Sequence, residues 1–272
     1  GNVTGSYAGN SIGGVIGYIT GKAEISAMTG DIRNTGAVKG PSDIGGVFGS
    51  CNSSTVTAAG DIVNTGEVAS NLSGNEIGGI VGKLNESQLI AVGGEIRNES
   101  NVTGATQVGG IAGRCDRNQT ASPIRAYGDI VNQGKISTTR ADNIGGIVGS
   151  YNCKEGIVSD TGVIKNEGVI EGIGTYVGGI VGSYGIAAST GAVKKCINTG
   201  DVTASKGIQV GGLFGYVSIT SSTNIENSYS TGQVNITDAT DATDSRNGTL
   251  VGCFSGNKIK NCYDTVTDAL PM

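Results

Sequence analysis

Ile12-Gly13-Gly14-Val15-Ile16-Gly17 returns along the chain as Ile44 to Gly49, Ile77 to Gly82, Val108 to Gly113, Ile144 to Gly149, Val177 to Gly182 and Val210 to Gly215. A degraded eighth copy, LVGCFS, is read at Leu250 to Ser255. Successive starts lie 32, 33, 31, 36, 33, 33 and 40 residues apart. A fixed period of this length marks a stack of similar units, each touching only its neighbours. The whole of 1–272 therefore reads as a single repeat domain.

A second motif alternates with the hexapeptide. GDIRNTGAV at 30–38 recurs at 60–68, 94–102 and 128–136, with looser copies at 162–170, 194–202, 229–234 and 261–267. Ile32, Asn34, Gly36 and Val38 share one parity and Asp31, Arg33, Thr35 and Ala37 the other, which is the alternation of a strand. A vaguer apolar stretch (AEISAM at 23–28, QLIAVG at 88–93) lies between the motifs. No segment has an apolar stripe of helical period and length. Each unit thus offers about three short strands joined by turns too short for crossover helices. The predicted fold is all-β: a parallel β-helix, or β-solenoid, of about eight coils of ~33 residues, each pairing with the next at about 4.8 Å.

Glycine, 49 of 272 residues, is expected to supply positive-φ corners and, in the Gly-Gly pair, close backbone approach. Stacking puts Asn34, Asn64, Asn98, Asn132, Asn166 and Asn198 in one column, which predicts an inward asparagine ladder whose amides bond those above and below. Residues 1–5, GNVTG, match the tail of a unit, GAVKG at 36–40. The chain is accordingly expected to be a fragment of a larger protein that starts mid-repeat.

A net charge of −5 argues against nucleic acid or an anionic membrane surface as partner. No run of about 18 apolar residues provides a membrane span. With no histidine in the chain, Ser-His-Asp, Cys-His and HExxH chemistry are excluded. The six cysteines do not read as disulfides. Cys51 and Cys115 share a column two coils apart, as do Cys196 and Cys262, and two coils exceed the reach of a bridge. Cys196, Cys253 and Cys262 read as buried small hydrophobes.

Three groups are candidates for function. Asp31, Asp61, Glu95 and Asp129 stack beside Arg33, Arg97 and Lys165. They could serve a carbohydrate-active β-helix enzyme, or could simply face solvent, with the arginines relieving like-charge repulsion. Catalytic residues are singular in an array, so their repetition favours structure. A polar insertion at 235–249 carries Asp238, Asp241 and Asp244, candidate oxygen ligands for Ca²⁺, although their spacing matches neither an EF-hand nor the nonapeptide calcium repeat. Tyr229 and Tyr263 fall in one outward column and are candidate stacking residues for a sugar ring. No catalytic residue and no cofactor other than Ca²⁺ is suggested.

The cadence of IGGIVG with NSYSTGQV at 227–234 and NCYDT at 261–265 resembles the GLUG repeat of large bacterial surface proteins. These include adhesin-like proteins and the non-catalytic regions of some immunoglobulin A metalloproteases. The resemblance covers nearly the whole chain and implies a right-handed β-helix at the bacterial cell surface or secreted, as a stalk or adhesive segment. It brings no catalytic residues. The expected role is a rigid, ligand-presenting rod, with a host or matrix glycan or protein surface, and other domains of the parent protein, as partners.

Overall fold

The structure, a computed structural model, describes residues 1–5, 11–70, 74–117, 123–140, 142–186, 193–205, 208–219, 224–237, 246–255 and 258–264. Among the described residues all strand pairings are parallel and join each strand to its equivalent one repeat on, so the chain winds as a β-solenoid. Four sheets carry eight strands each, and the fifth side is divided into sheets of five and three strands. Seven steps of about 4.8 Å give a stack about 34 Å long.

Each coil contains five short strands where three are expected from the sequence. One coil runs Ile32–Asn34, Val38–Gly40, Ile44–Gly45, Phe48–Asn52 and Thr55–Ala58. The difference has a local cause: each motif is bent in its middle. The hexapeptide breaks at its second glycine and the asparagine motif at Thr-Gly, so both contribute two strands to adjoining sheets. The vaguer apolar stretch supplies the fifth.

The register corrects the eighth hexapeptide. Val210 pairs with Asn247, Gly211 with Gly248 and Phe214 with Val251, so the eighth copy is NGTLVG at 247–252. Matching Leu250 to Val210 would take glycine out of columns that only glycine can occupy: a Cβ on Gly211 would lie 2.7 Å from the Gly252 nitrogen. The same shift moves Cys253 out of the apolar column. It pairs with Tyr216, follows Ser183 and Ser150 along the outer face, and is partly exposed. The insertion is also shorter than 235–249, because Val234–Ile236 and Arg246–Gly248 are strands of two sheets.

The asparagine ladder is continuous from Asn34 to Asn198. The Nδ2 of Asn34, Asn64, Asn98, Asn132 and Asn166 each donates to the Oδ1 of the next at 2.8–2.9 Å. Each Nδ2 also donates to the carbonyl two residues on, as Asn64 does to Gly66 at 2.8 Å. The ladder ends on Ser230, whose Oγ accepts from Asn198 at 3.3 Å. A buried amide is tolerated only when so paired, and Asn64, Asn98, Asn132, Asn166 and Asn198 are fully buried.

The ladder explains the glycine pair. A Cβ on Gly46, Gly79, Gly110 or Gly146 would sit 2.3 Å from the Cγ of Asn64, Asn98, Asn132 or Asn166. The second glycine of each of the first six hexapeptides is thus pressed against a ladder amide, and in the seventh Gly212 meets Ser230 instead. Apolar residues fall into two clusters on either side of this contact. Ile44, Ile77, Val68 and Val102 belong to one, and Val47, Ile80, Ile62 and Ile96 to the other. Along one motif the order is Ile62, Asn64, Val68; along the other it is Ile44, Gly46, Val47. The Asn–Gly contact is therefore a polar septum between two thin cores.

Glycine does not make the corners, contrary to expectation. Among the described residues the only positive-φ glycines are Gly21 and Gly30, whereas Ser11, Asp43, Glu76 and Gln107 hold φ of 45° to 68° just before the hexapeptide. Hexapeptide glycines are selected by close contact rather than by backbone hand.

Candidate functional site

The acids that precede the asparagine motif stack as expected, and the structure shows what their oxygens do. Asp31 Oδ1 accepts from the Asp61 N–H at 2.8 Å, Asp61 Oδ1 from Glu95 N–H at 2.9 Å, and Asp129 Oδ1 from Val163 N–H at 2.8 Å. Each aspartate hooks the backbone of the next coil. The Asp61 N–H, then the Arg33 guanidinium at 3.0 Å, hold the Asp31 carboxyl below its usual range. Arg97 lies 3.1 Å from Glu95 and Lys165 2.5 Å from Glu167, so the basic members are paired as well. Asn2 and Asn101 do the same at an outward position three residues after the ladder asparagine, accepting from the Ala37 and Lys135 N–H.

Tyr229 and Tyr263 are register partners with rings stacked at 5.1 Å and 6°; Tyr263 is 56% exposed. Asp238, Asp241 and Asp244 lie outside the described residues. Among the described residues no three Cys, Asp or Glu side chains come together as metal ligands. None of the six cysteines is in a disulfide. Burial pushes Cys51 and Cys196 up to about 12 and Cys115 well above its ordinary value.

The most concentrated polar constellation is one the motif comparison passes over. The residue after each hexapeptide forms an outward column: Tyr18, Ser50, Lys83, Arg114, Ser150, Ser183, Tyr216 and Cys253. Serine recurs, but coils three and four carry Lys83 and Arg114. Beside them, the left-handed position before the hexapeptide places Asp43 and Glu76 on the same side. Asp43, Lys83 and Arg114, together with Tyr18, Ser50, Asn52, Asn85, Asp116 and Arg117, line a groove of about 360 Å³, and Glu76 pairs with two of its cations.

Its charges are internally compensated. Glu76 Oε1 lies 3.6 Å from both Lys83 Nζ and Arg114 Nη1, and Asp116 Oδ2 lies 2.7 Å from Arg114 Nη2 and 3.7 Å from Arg117 Nε. Asn85 donates to Asn52 Oδ1 at 2.7 Å, and Asn152 to Asp116 Oδ1 at 3.0 Å. The Glu76 side chain is only 12% exposed. Burial, then the neighbouring Asp43 charge, raise its carboxyl above the usual range, against the pull of Lys83 and Arg114. Tyr18 is 53% exposed at the groove's end, and its phenol is lowered by hydrogen bonds from Asn52, then Thr20. The signal was present in the sequence: the positions flanking the hexapeptide change in charge, while the three glycines of the first seven copies do not change.

The fold and register define the chain as a β-solenoid. No family model, curated protein or solved structure matches it.

Proposed function

We propose that this chain is a non-catalytic rod segment of a bacterial cell-surface or secreted protein, which holds ligand-binding side chains at fixed positions on a stiff support. The observation that carries this reading is the unbroken ladder with its glycine contacts. It locks successive coils in one register and commits the interior to structure. What varies, and so can recognise a partner, lies on the outer faces. In the carboxylate column that a carbohydrate-active enzyme could use, the three aspartates hook coil to coil and Glu95 pairs with Arg97, which favours presentation over turnover. The resemblance to GLUG repeats points the same way, toward a host or matrix glycan or protein as partner.

Retention of the purified chain on immobilised polysaccharides, mucin and matrix proteins, with and without Ca²⁺, tests the adhesive part. Saturable retention on at least one surface is expected. Absence of retention on every surface would reduce the chain to a spacer.

A further inference from the structure

We propose that the groove lined by Tyr18, Asp43, Asn52, Lys83, Asn85 and Arg114 is a binding site for an uncharged pyranose oligosaccharide. This rests on the ligand-presenting reading above and assigns it a site and a ligand class.

Three observations select the ligand. The first is charge. Lys83, Arg114 and Arg117 face Asp43, Glu76 and Asp116. An anion gains from the cations but meets the carboxylates, a metal ion meets the reverse, and an uncharged ligand meets neither penalty. The second is hydrogen bonding. The groove offers carboxylate acceptors, guanidinium and ammonium donors, and amides that are both, within one concavity. A sugar hydroxyl is at once donor and acceptor, so a hydroxyl-rich ligand can use every group. The planar, ion-paired side chains are already held in place, so little rotamer entropy remains to be lost on binding.

The third is the aromatic edge. Tyr18 begins the outward column that continues through Ser50 to Lys83 and Arg114. Its ring is half exposed, while Ser50 beside it is only 4% exposed. A small residue thus forms the floor between a flat apolar ring and a polar wall. Such a ring offers a face to the C–H side of a pyranose while the hydroxyls turn to the wall. The column runs from coil to coil along the rod, so a chain of sugars, rather than a single one, fits its direction. No other pair of coils places two cations in this column.

Isothermal titration of the intact chain with chitotetraose, cellotetraose and mannotetraose, and with tetragalacturonate as the charged comparison, tests the proposal. One neutral tetrasaccharide is expected to bind. Tyr18→Ala and Arg114→Gln are each expected to weaken it about tenfold or more, about 1.4 kcal/mol, while Tyr263→Ala, at the far end of the stack, leaves it unchanged. Tyr18 lies outside both cores, so Tyr18→Ala keeps the fold and remains decisive if Arg114→Gln proves unstable. Neutral sugar binding lost in Tyr263→Ala but kept in Tyr18→Ala would overturn this site and leave the presenting-rod reading intact. Binding of tetragalacturonate alone would overturn the ligand class. No binding of any tetrasaccharide, with the chain still retained on protein surfaces, would overturn the groove inference alone.

Discussion

Replacing Asn64 probes the septum where its contacts are most complete. Its amide makes four hydrogen bonds: Nδ2 to Gly66 O at 2.8 Å and to Asn98 Oδ1 at 2.9 Å, and Oδ1 from Asn34 Nδ2 at 2.8 Å and from Gly66 N–H at 3.2 Å. The side chain is fully buried, so no water replaces a lost partner. At about 1 kcal/mol for each net bond, Asn64→Ala should cost about 4 kcal/mol. Asn64→Ser should cost roughly half as much, since a hydroxyl can accept one ladder bond, as Ser230 does from Asn198, but cannot span to both neighbours. Asn64→Asp should be the worst of the three. It keeps the acceptor but turns a second oxygen, with a buried charge, toward Asn98 Oδ1 and Gly66 O. Urea denaturation followed by far-ultraviolet circular dichroism gives the midpoints, with the slope expected to stay constant. An alanine variant within about 1 kcal/mol of the parent, or an aspartate variant as stable as the serine one, would refute the reasoning, because the ladder would then be ornament on a core held by burial alone.

Gly79→Ala should lower the midpoint far more than Gly21→Ala. The first puts a Cβ 2.1 Å from Gly110 O and 2.3 Å from Asn98 Cγ, whereas nothing lies within 4 Å of the second, which has only its φ of +78° to lose, a penalty of order 1 kcal/mol; equal shifts would contradict the close-contact account. The Glu76 carboxyl is raised in the folded chain, so it contributes stability that is present below the unfolded value and lost as pH rises through the folded one. Glu76→Gln should therefore gain melting temperature relative to the parent between pH 4 and pH 7, and a relative loss over that interval would show that the Lys83 and Arg114 pairs dominate instead. A thiol reagent should label the native chain only at Cys253 and Cys262, which are partly exposed, and all six positions in denaturant. Rapid labelling of Cys51, Cys115 or Cys196 in the native state would contradict their burial.

The repeat made the solenoid legible, and the parity of Ile32, Asn34 and Val38 gave the inward face and the ladder without coordinates. What the period alone left open was which side of the coil meets which. The contact of Gly46 with Asn64, and with it the division of the core into two clusters, depends on the angle at which the motifs fold across one another. The eighth copy misled because LVGCFS keeps the apolar cadence of the hexapeptide but not its glycine columns. Once steric necessity rather than hydrophobicity sets the alignment, NGTLVG follows. Thr249 then stands at the place of the second glycine, and its hydroxyl donates to Asp264 Oδ2 at 2.6 Å, so the septum's glycine and its asparagine are both replaced in the same coil. The groove escaped notice for a related reason. Lys83 and Arg114 are separated by a whole repeat, and only the register shows that they are neighbours of Glu76.

The central claim is that the rod holds a ligand without consuming it. Size-exclusion chromatography of a retained polysaccharide after prolonged incubation with the chain, with reducing ends counted in parallel, tests it most directly. An unchanged size distribution and no new ends are predicted; a progressive fall in chain length, abolished by substitution at Glu76 or at the Asp31–Asp129 column, would contradict it.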